Sequence, residues 1–165
     1  CYCSFVVGDL KRNVRCPRGL VCRMIGVRRS FNPKRKLAPV PETGAEFDRL
    51  GELASTVAYG GNPEHKRSPG DFKLNPPAAP RPAKTLCDIA GITKREEAVD
   101  YLRQGLRRGM VSERQVDGWP QNVWAVTGEG VVLEAQRDGA GSYHGYPMPS
   151  SDPMWREVFK RWHQK

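Results

Sequence analysis

Two loops of the chain place a histidine among residues that could act together on a phosphate. The first loop, residues 62–67, supplies a carboxylate, an imidazole and two cations in four consecutive positions: Glu64, His65, Lys66 and Arg67. The second loop, residues 143–147, holds an imidazole between two phenols: Tyr143, His144 and Tyr146. Histidine titrates near neutral pH and therefore suits both the general-acid and the general-base role.

Metal-independent cleavage of RNA needs such groups and little else. A general base takes the proton of the 2′-hydroxyl, a general acid protonates the leaving 5′-oxygen, and cations stabilise the charge that develops on the phosphate. The pattern favours His65 and His144 as the acid–base pair, with Lys66 and Arg67 binding the phosphate. We expect Glu64 to orient the imidazole of His65, and Tyr143 or Tyr146 to stack on a base.

Both loops also admit a purely structural interpretation. The first is then a solvated cluster of charges, and the second is an aromatic edge strand that packs on the core. A metal site has little support, because four of the five cysteines follow the pattern C-x-C-x12-C-x5-C, whereas zinc knuckles usually have close C-x2-C pairs. Neither a metal nor a cofactor is therefore expected.

Three segments have the apolar periodicity of amphipathic helices. The first covers residues 45–59. The second runs from a capping box at residues 93–96 to Gly109, where a glycine can end a helix. The third begins after Asp152, which is a good N-cap.

The remaining regular structure is expected to be β-sheet. Strand-like runs separated by glycine-containing turns cover residues 110–116, 122–127, 131–137 and 143–148. Gly145 and Pro147 indicate that the last strand lies at an edge. These patterns predict an α+β domain in which helices pack against a small antiparallel sheet of three to four strands.

A long proline-rich loop separates the first two helices. Residues 60–84 contain six prolines and three glycines, and proline both fixes φ and removes a hydrogen-bond donor. We expect ordered coil here, with Phe72 buried and Leu74 as a second anchor.

The net charge of +9 lies in the N-terminal part of the chain. Residues 1–38 hold ten Lys or Arg and one acid, whereas the rest holds seventeen of each sign. We expect a disordered basic arm and linker over residues 1–44 and a single domain over residues 45–165. A basic arm is compatible with attraction to RNA or DNA phosphates, and equally with a solvated tail.

The apolar patterning and the cysteines bear on location. No stretch approaches the roughly 20 apolar residues that cross a bilayer, and the first residues lack the apolar run of a signal peptide. Cys87 is the only cysteine after the arm, so no disulfide is expected within the domain. These features favour a cytoplasmic setting with no membrane partner.

Two resemblances bear on function. Residues 59–162 resemble small bacterial proteins that share the elements YGGNPEHKR, PQNVWAV, LEAQ and YHGYPMP, which implies no particular activity. The order of helices and then a meander is similar in outline to small bacterial ribonuclease toxins. This second resemblance implies RNA, rather than DNA, as the partner and a second protein that neutralises the activity.

A different resemblance joins residues 86–127 to winged-helix DNA-binding domains, which often run through a helix, a G-hydrophobic-V element, a wing and T-x-x-G. The recognition helix would carry five cations: Lys94, Arg95, Arg103, Arg107 and Arg108. The leading hypothesis is a nucleic-acid-directed bacterial protein of the metal-independent, toxin-like ribonuclease kind. The alternatives are a winged-helix DNA-binding regulator and a non-catalytic interaction module.

Overall fold

A computed structural model of the chain describes residues 32, 35–78, 84–139 and 141–164. Its helices and strands, in chain order, are α1 (Gly44–Thr56), β1 (Ala58–Tyr59), α2 (Arg95–Arg107), β2 (Gln115–Val116), β3 (Trp119–Pro120), β4 (Asn122–Val126), β5 (Val132–Arg137), β6 (Ser142–Pro147) and α3 (Trp155–His163). The predicted α+β class is confirmed. Among these residues no helix is both long and apolar enough to cross a bilayer.

The starts of the second and third helices differ slightly from expectation. In α2 the backbone N–H groups of Thr93 and Lys94 donate to Glu97 Oε2 at 2.8 and 2.9 Å, so the capping carboxylate lies one position later than predicted. Before α3, Asp152 Oδ1 accepts from the N–H of Met154 at 2.9 Å. Asp152 therefore stabilises the turn that leads into the helix.

The main sheet has the strand order β1-β6-β5-β4. It is antiparallel except that β1 pairs with β6 in parallel. The expectation that the 143–148 strand lies at an edge is wrong, because β6 lies between β1 and β5. Gly145 reflects the close approach of Tyr59, since a Cβ there would come 3.3 Å from the Tyr59 hydroxyl, which accepts the Gly145 N–H at 3.0 Å.

The opposite edge, along β4, is covered by the segment that follows α2. Trp124 N donates to Met110 O at 2.8 Å, and Ser112 N donates to Asn122 O at 2.9 Å. Within the predicted strand over residues 110–116, Val111 forms a single bridge with Val123 of β4, and Ser112 forms one with Leu37. Its last part, β2, forms a short hairpin with β3.

The helices cover the two faces of the sheet unequally. Helices α1 and α2 pack on one face, against the side chains Val123, Ala125, Leu133, Ala135 and Tyr143. Helix α3 packs on the second face, with Met154 and Val158 against Trp124, Val126 and Val132. The other end of the second face is polar and carries five side chains in register: Asn122, Glu134, Gln136, His144 and Tyr146.

Part of the expected linker packs against the domain. Leu37 is buried in the core beside α3, and the N–H of Ala38 donates to Val111 O at 2.8 Å. Arg35 reaches Glu134 on the second face. The packed domain therefore includes residues upstream of 44. Residues 1–31 of the predicted arm and linker, which include its four cysteines, lie outside the described residues.

The proline-rich loop is ordered coil over its described residues. Two single-turn 3-10 helices interrupt it, Pro63–His65 and Pro69–Phe72. Phe72 is 1% exposed and meets the ring of Tyr59 edge to face at 6.0 Å, so the predicted anchor is confirmed. The first of the two turns carries His65 to the polar end of the sheet.

Candidate active site

His65 and His144 line one open cavity of about 410 Å³ at the polar end of the second face. Strand β6 contributes His144 and Tyr146, and β5 contributes Gln136. The rest of the wall comes from loops: Asn62, Lys84, Thr85 and Pro149. Pockets for small molecules usually measure roughly 300–1,000 Å³, so the cavity has room for one nucleotide.

The 3-10 turn and a backbone carbonyl fix the position of His65. Asn62 Oδ1 accepts from the N–H of Glu64 at 2.9 Å and holds the turn. His65 Nδ1 lies 2.7 Å from Thr85 O, and a carbonyl only accepts, so Nδ1 carries the proton and Nε2 keeps a lone pair. The imidazole stacks on Tyr146 with ring centroids 5.0 Å apart and 20° between the planes.

The surroundings of His65 favour its neutral form. Burial lowers its pKa below the ordinary value, the hydrogen bond to Thr85 acts in the opposite direction, and the nearby positive charges of Lys84 and His144 add to the lowering. A neutral imidazole with a free Nε2 can accept a proton. His65 is therefore suited to the general-base role.

A carboxylate orients the second imidazole. His144 Nδ1 lies 3.5 Å from Asp138 Oδ2, and both side chains are partly exposed. Asp138 follows β5 directly, and its N–H donates to Ser142 O at 3.0 Å across the β5–β6 turn. The contact occupies Nδ1 and leaves Nε2 as the nitrogen through which His144 can exchange a proton.

The cation in the cavity wall is Lys84, which the sequence did not single out. Its Nζ lies 3.4 Å from Glu64 Oε2, and a third of its side chain is exposed. Glu64 thus contacts Lys84, while the group that orients His65 is the carbonyl of Thr85. In the sequence nothing distinguishes Lys84 from a surface lysine at the end of a loop.

Lys66 does not serve as a phosphate ligand. Its side chain is 1% exposed and its Nζ lies 3.1 Å from Asp88 Oδ1, within reach of the Ile92 carbonyl and over the ring of Phe72. The expectation for Lys66 is wrong, because the neighbouring loop buries and neutralises the ammonium group. Arg67 is exposed and lies outside the cavity wall, so its expected role gains no support.

Tyr143 and Tyr146 point to opposite faces of β6, because strand residues an odd number of positions apart do so. Tyr143 is fully buried under α1 and α2, and its hydroxyl donates to Pro120 O at 2.6 Å. It cannot stack on a base, and that expectation is wrong. Tyr146 belongs to the cavity wall.

A buried carboxylate that the sequence did not reveal supports the floor of the cavity. Glu134 accepts from Arg35 at 2.9 Å (Nε) and 2.6 Å (Nη2), from Asn122 Nδ2 at 2.8 Å and from the Tyr146 hydroxyl at 2.8 Å. Arg35 Nη1 also donates to Asp152 at 3.0 Å. In the sequence Glu134 has the position of an ordinary outward-facing strand residue.

Helix α2 does not present the continuous basic face that a winged-helix domain would need. Three of its expected DNA-contacting cations make contacts within the protein: Arg95, Arg103 and Arg108. Glu96 and Asp100 are exposed on the same helix. These contacts and exposed acids favour the cavity, rather than α2, as the candidate site.

Chemically, the cavity combines a neutral imidazole, a carboxylate-oriented imidazole and an ammonium group, which together can move two protons and stabilise an anion. Within the described residues no group of three His, Cys, Asp or Glu side chains is arranged to hold a metal ion. Comparisons with protein-family models, curated protein sequences and solved structures found no match.

Proposed function

We propose that the protein is a metal-independent endoribonuclease that acts on single-stranded RNA. The observation that carries the proposal is that His65, His144 and Lys84 line the same cavity. These side chains supply a base, an acid and a cation, the three groups that transfer of a phosphoryl group to the 2′-oxygen requires.

The two imidazoles take different roles because their surroundings differ. His65 accepts the proton of the 2′-hydroxyl at Nε2, since Thr85 holds its Nδ1 and burial lowers its pKa. The 2′-oxygen forms a bond to phosphorus, and the bond from phosphorus to the 5′-oxygen breaks. His144, held by Asp138, gives a proton to the 5′-oxygen. The products are a 2′,3′-cyclic phosphate and a free 5′-hydroxyl.

The charge of the chain supports a nucleic-acid substrate. Lys84 stabilises the additional negative charge on the phosphate, and the seven Lys and Arg within residues 1–31 attract the RNA backbone. An RNA substrate agrees with action in the cytoplasm. A protein partner that neutralises the enzyme would have to cover the cavity.

The test is cleavage of a labelled single-stranded RNA by purified protein in the presence of EDTA. His65→Ala and His144→Ala should each lower the rate by roughly 10²- to 10⁴-fold, the usual contribution of a positioned proton-transfer group. The rate should follow a bell-shaped pH profile, and the products should carry 2′,3′-cyclic phosphate ends. A substrate with 2′-deoxyribose at the cleaved position should remain intact.

A matched control is His163→Ala, because His163 lies exposed at the end of α3 with its Nδ1 2.8 Å from Phe159 O. This variant should cleave like the parent. The proposal is refuted if the parent protein cuts no RNA, or if the double variant of His65 and His144 cuts as fast as the parent.

A further inference from the structure

The amide side chains of Asn62 and Gln136 in the cavity wall can serve a second role, beside the proton transfer by the histidines. We propose that the cavity holds the base of one unpaired nucleotide, with Gln136 accepting a hydrogen bond from its edge and Asn62 donating one to it. The inference rests on the proposed ribonuclease function and extends it, since it names the part of the RNA that the cavity selects.

Glu134 and Tyr146 determine which end of the Gln136 amide faces the cavity. The Tyr146 hydroxyl lies 2.8 Å from Glu134 Oε2, and the same oxygen accepts from Arg35 at 2.6 Å. Glu134 has a donor on each oxygen and acts only as an acceptor, so Tyr146 gives its one proton to it. Burial, followed by the charge of Glu134, raises the pKa of Tyr146, and the hydroxyl stays protonated.

With its proton committed, the Tyr146 oxygen can only accept. Gln136 Nε2 lies 3.5 Å from this oxygen, so the amide turns its nitrogen toward Tyr146 and keeps Oε1 for a ligand. A chain of contacts from Arg35 through Glu134 and Tyr146 therefore makes Gln136 an acceptor toward the cavity.

Asn62 has the complementary orientation. Its Oδ1 accepts the N–H of Glu64 at 2.9 Å, where it caps the 3-10 turn, and its Nδ2 is then the group that can serve a ligand. Asn62 and Gln136 both line the cavity. One donor and one acceptor match the edge of a nucleobase, on which N–H groups alternate with ring nitrogens and carbonyl oxygens.

The selecting residues lie beside the reacting groups. Gln136 is directly opposite His144 in the register of β5 and β6, and Tyr146, two residues further along β6, stacks on His65. A base held by Gln136 thus belongs to a nucleotide next to the bond that is cut. This juxtaposition couples recognition of the base to cleavage.

The experiment maps the cut sites in a random-sequence RNA by sequencing the product ends. The parent should favour particular bases at one position by roughly 5- to 100-fold, the range for a good base contact. Gln136→Leu should abolish that preference. Tyr146→Phe keeps the ring that stacks on His65 but frees the amide to rotate, so it should reduce the preference while cleavage continues. Gln104→Leu, on the exposed side of α2, should change nothing.

Binding of the four nucleoside 3′-monophosphates, measured by calorimetry, separates this inference from the proposed function. If RNA is cut but Gln136→Leu keeps the parent's preference, or the parent has none, base selection is overturned while the ribonuclease stands. If RNA is not cut but the nucleotides bind with a preference that Gln136→Leu removes, the base site stands and the ribonuclease fails. Equal or undetectable binding of all four, together with uncut RNA, overturns both.

Discussion

Arg35 and Glu134 lie 99 positions apart and are joined by two hydrogen bonds, one to each oxygen of the carboxylate. The side chain of Glu134 is completely buried and that of Arg35 is 17% exposed. A buried carboxylate that loses its cation is strongly destabilising. The segment before α1 therefore contributes to stability as well as to the support of the cavity.

The contribution of this segment can be measured with two truncations. Deletion of residues 1–31 should leave the melting temperature within a few degrees of the full chain. Deletion of residues 1–40 removes Arg35 and Leu37, and we expect a loss of about 3 kcal/mol, or roughly 10 °C in melting temperature. Arg35→Met should reproduce much of this loss, and Arg35→Met with Glu134→Met should recover part of it. Equal melting of the two truncations would contradict the role of Arg35.

Lys66 and Lys84 should respond oppositely to replacement by methionine. Lys66→Met leaves Asp88 without its buried partner and should lower the free energy of unfolding by about 2–4 kcal/mol. Lys84→Met should leave stability nearly unchanged, because Lys84 is partly exposed, and should slow RNA cleavage roughly 10- to 100-fold. Urea unfolding and the cleavage assay measure the two effects. If the Lys84→Met protein is stable and cleaves RNA at the parent's rate, Lys84 does not take part in catalysis.

Two helical glycines should differ in their response to alanine. A Cβ at Gly105 of α2 would lie 2.4 Å from Trp124 O and 2.7 Å from Val123 Cγ1, whereas nothing lies within 4 Å of one at Gly51 in α1. Replacing glycine by alanine within a helix stabilises it by about 1 kcal/mol, but overpacking destabilises the protein by about 1–3 kcal/mol. Gly51→Ala should therefore raise the melting temperature, and Gly105→Ala should lower it. A stabilised Gly105→Ala protein would show that α2 can move away from β4.

The buried imidazole of His65 should make stability depend on pH. Its pKa is lower in the folded protein than the ordinary value of 6.5, so the unfolded chain binds more protons between the two values. The contribution to stability is full above pH 6.5 and is lost as pH falls through the folded pKa. Urea unfolding should show that, from roughly pH 8 down to roughly pH 5, the free energy of unfolding falls more steeply for the parent than for His65→Gln. Parallel curves would mean that His65 does not titrate differently on folding.

The patterns that predicted the fold correctly are local. Strand-like runs between glycine-containing turns identified β4, β5 and β6, and the three- and four-residue spacing of apolar residues identified the helices. The sequence also selected the two segments whose histidines line one cavity. It could not distinguish Lys66 from Lys84, because burial of Lys66 depends on Asp88, which comes 22 positions later. Nor could it reveal Glu134 as a buried acceptor, since its partners Arg35 and Tyr146 come from distant segments.

Other segments of the chain lie beside β6 and β4 of the main sheet. Beside β6 lie the two residues of β1 and the hydroxyl of Tyr59; beside β4 lies the segment 110–112. An exposed strand edge invites a strand from another polypeptide, which leads to aggregation or to recognition by β-augmentation. Along β4 the N–H of Trp124 and the C=O of Asn122 are already bonded to this segment. A strand from another polypeptide can therefore pair with these groups of β4 only if the segment 110–112 first moves away.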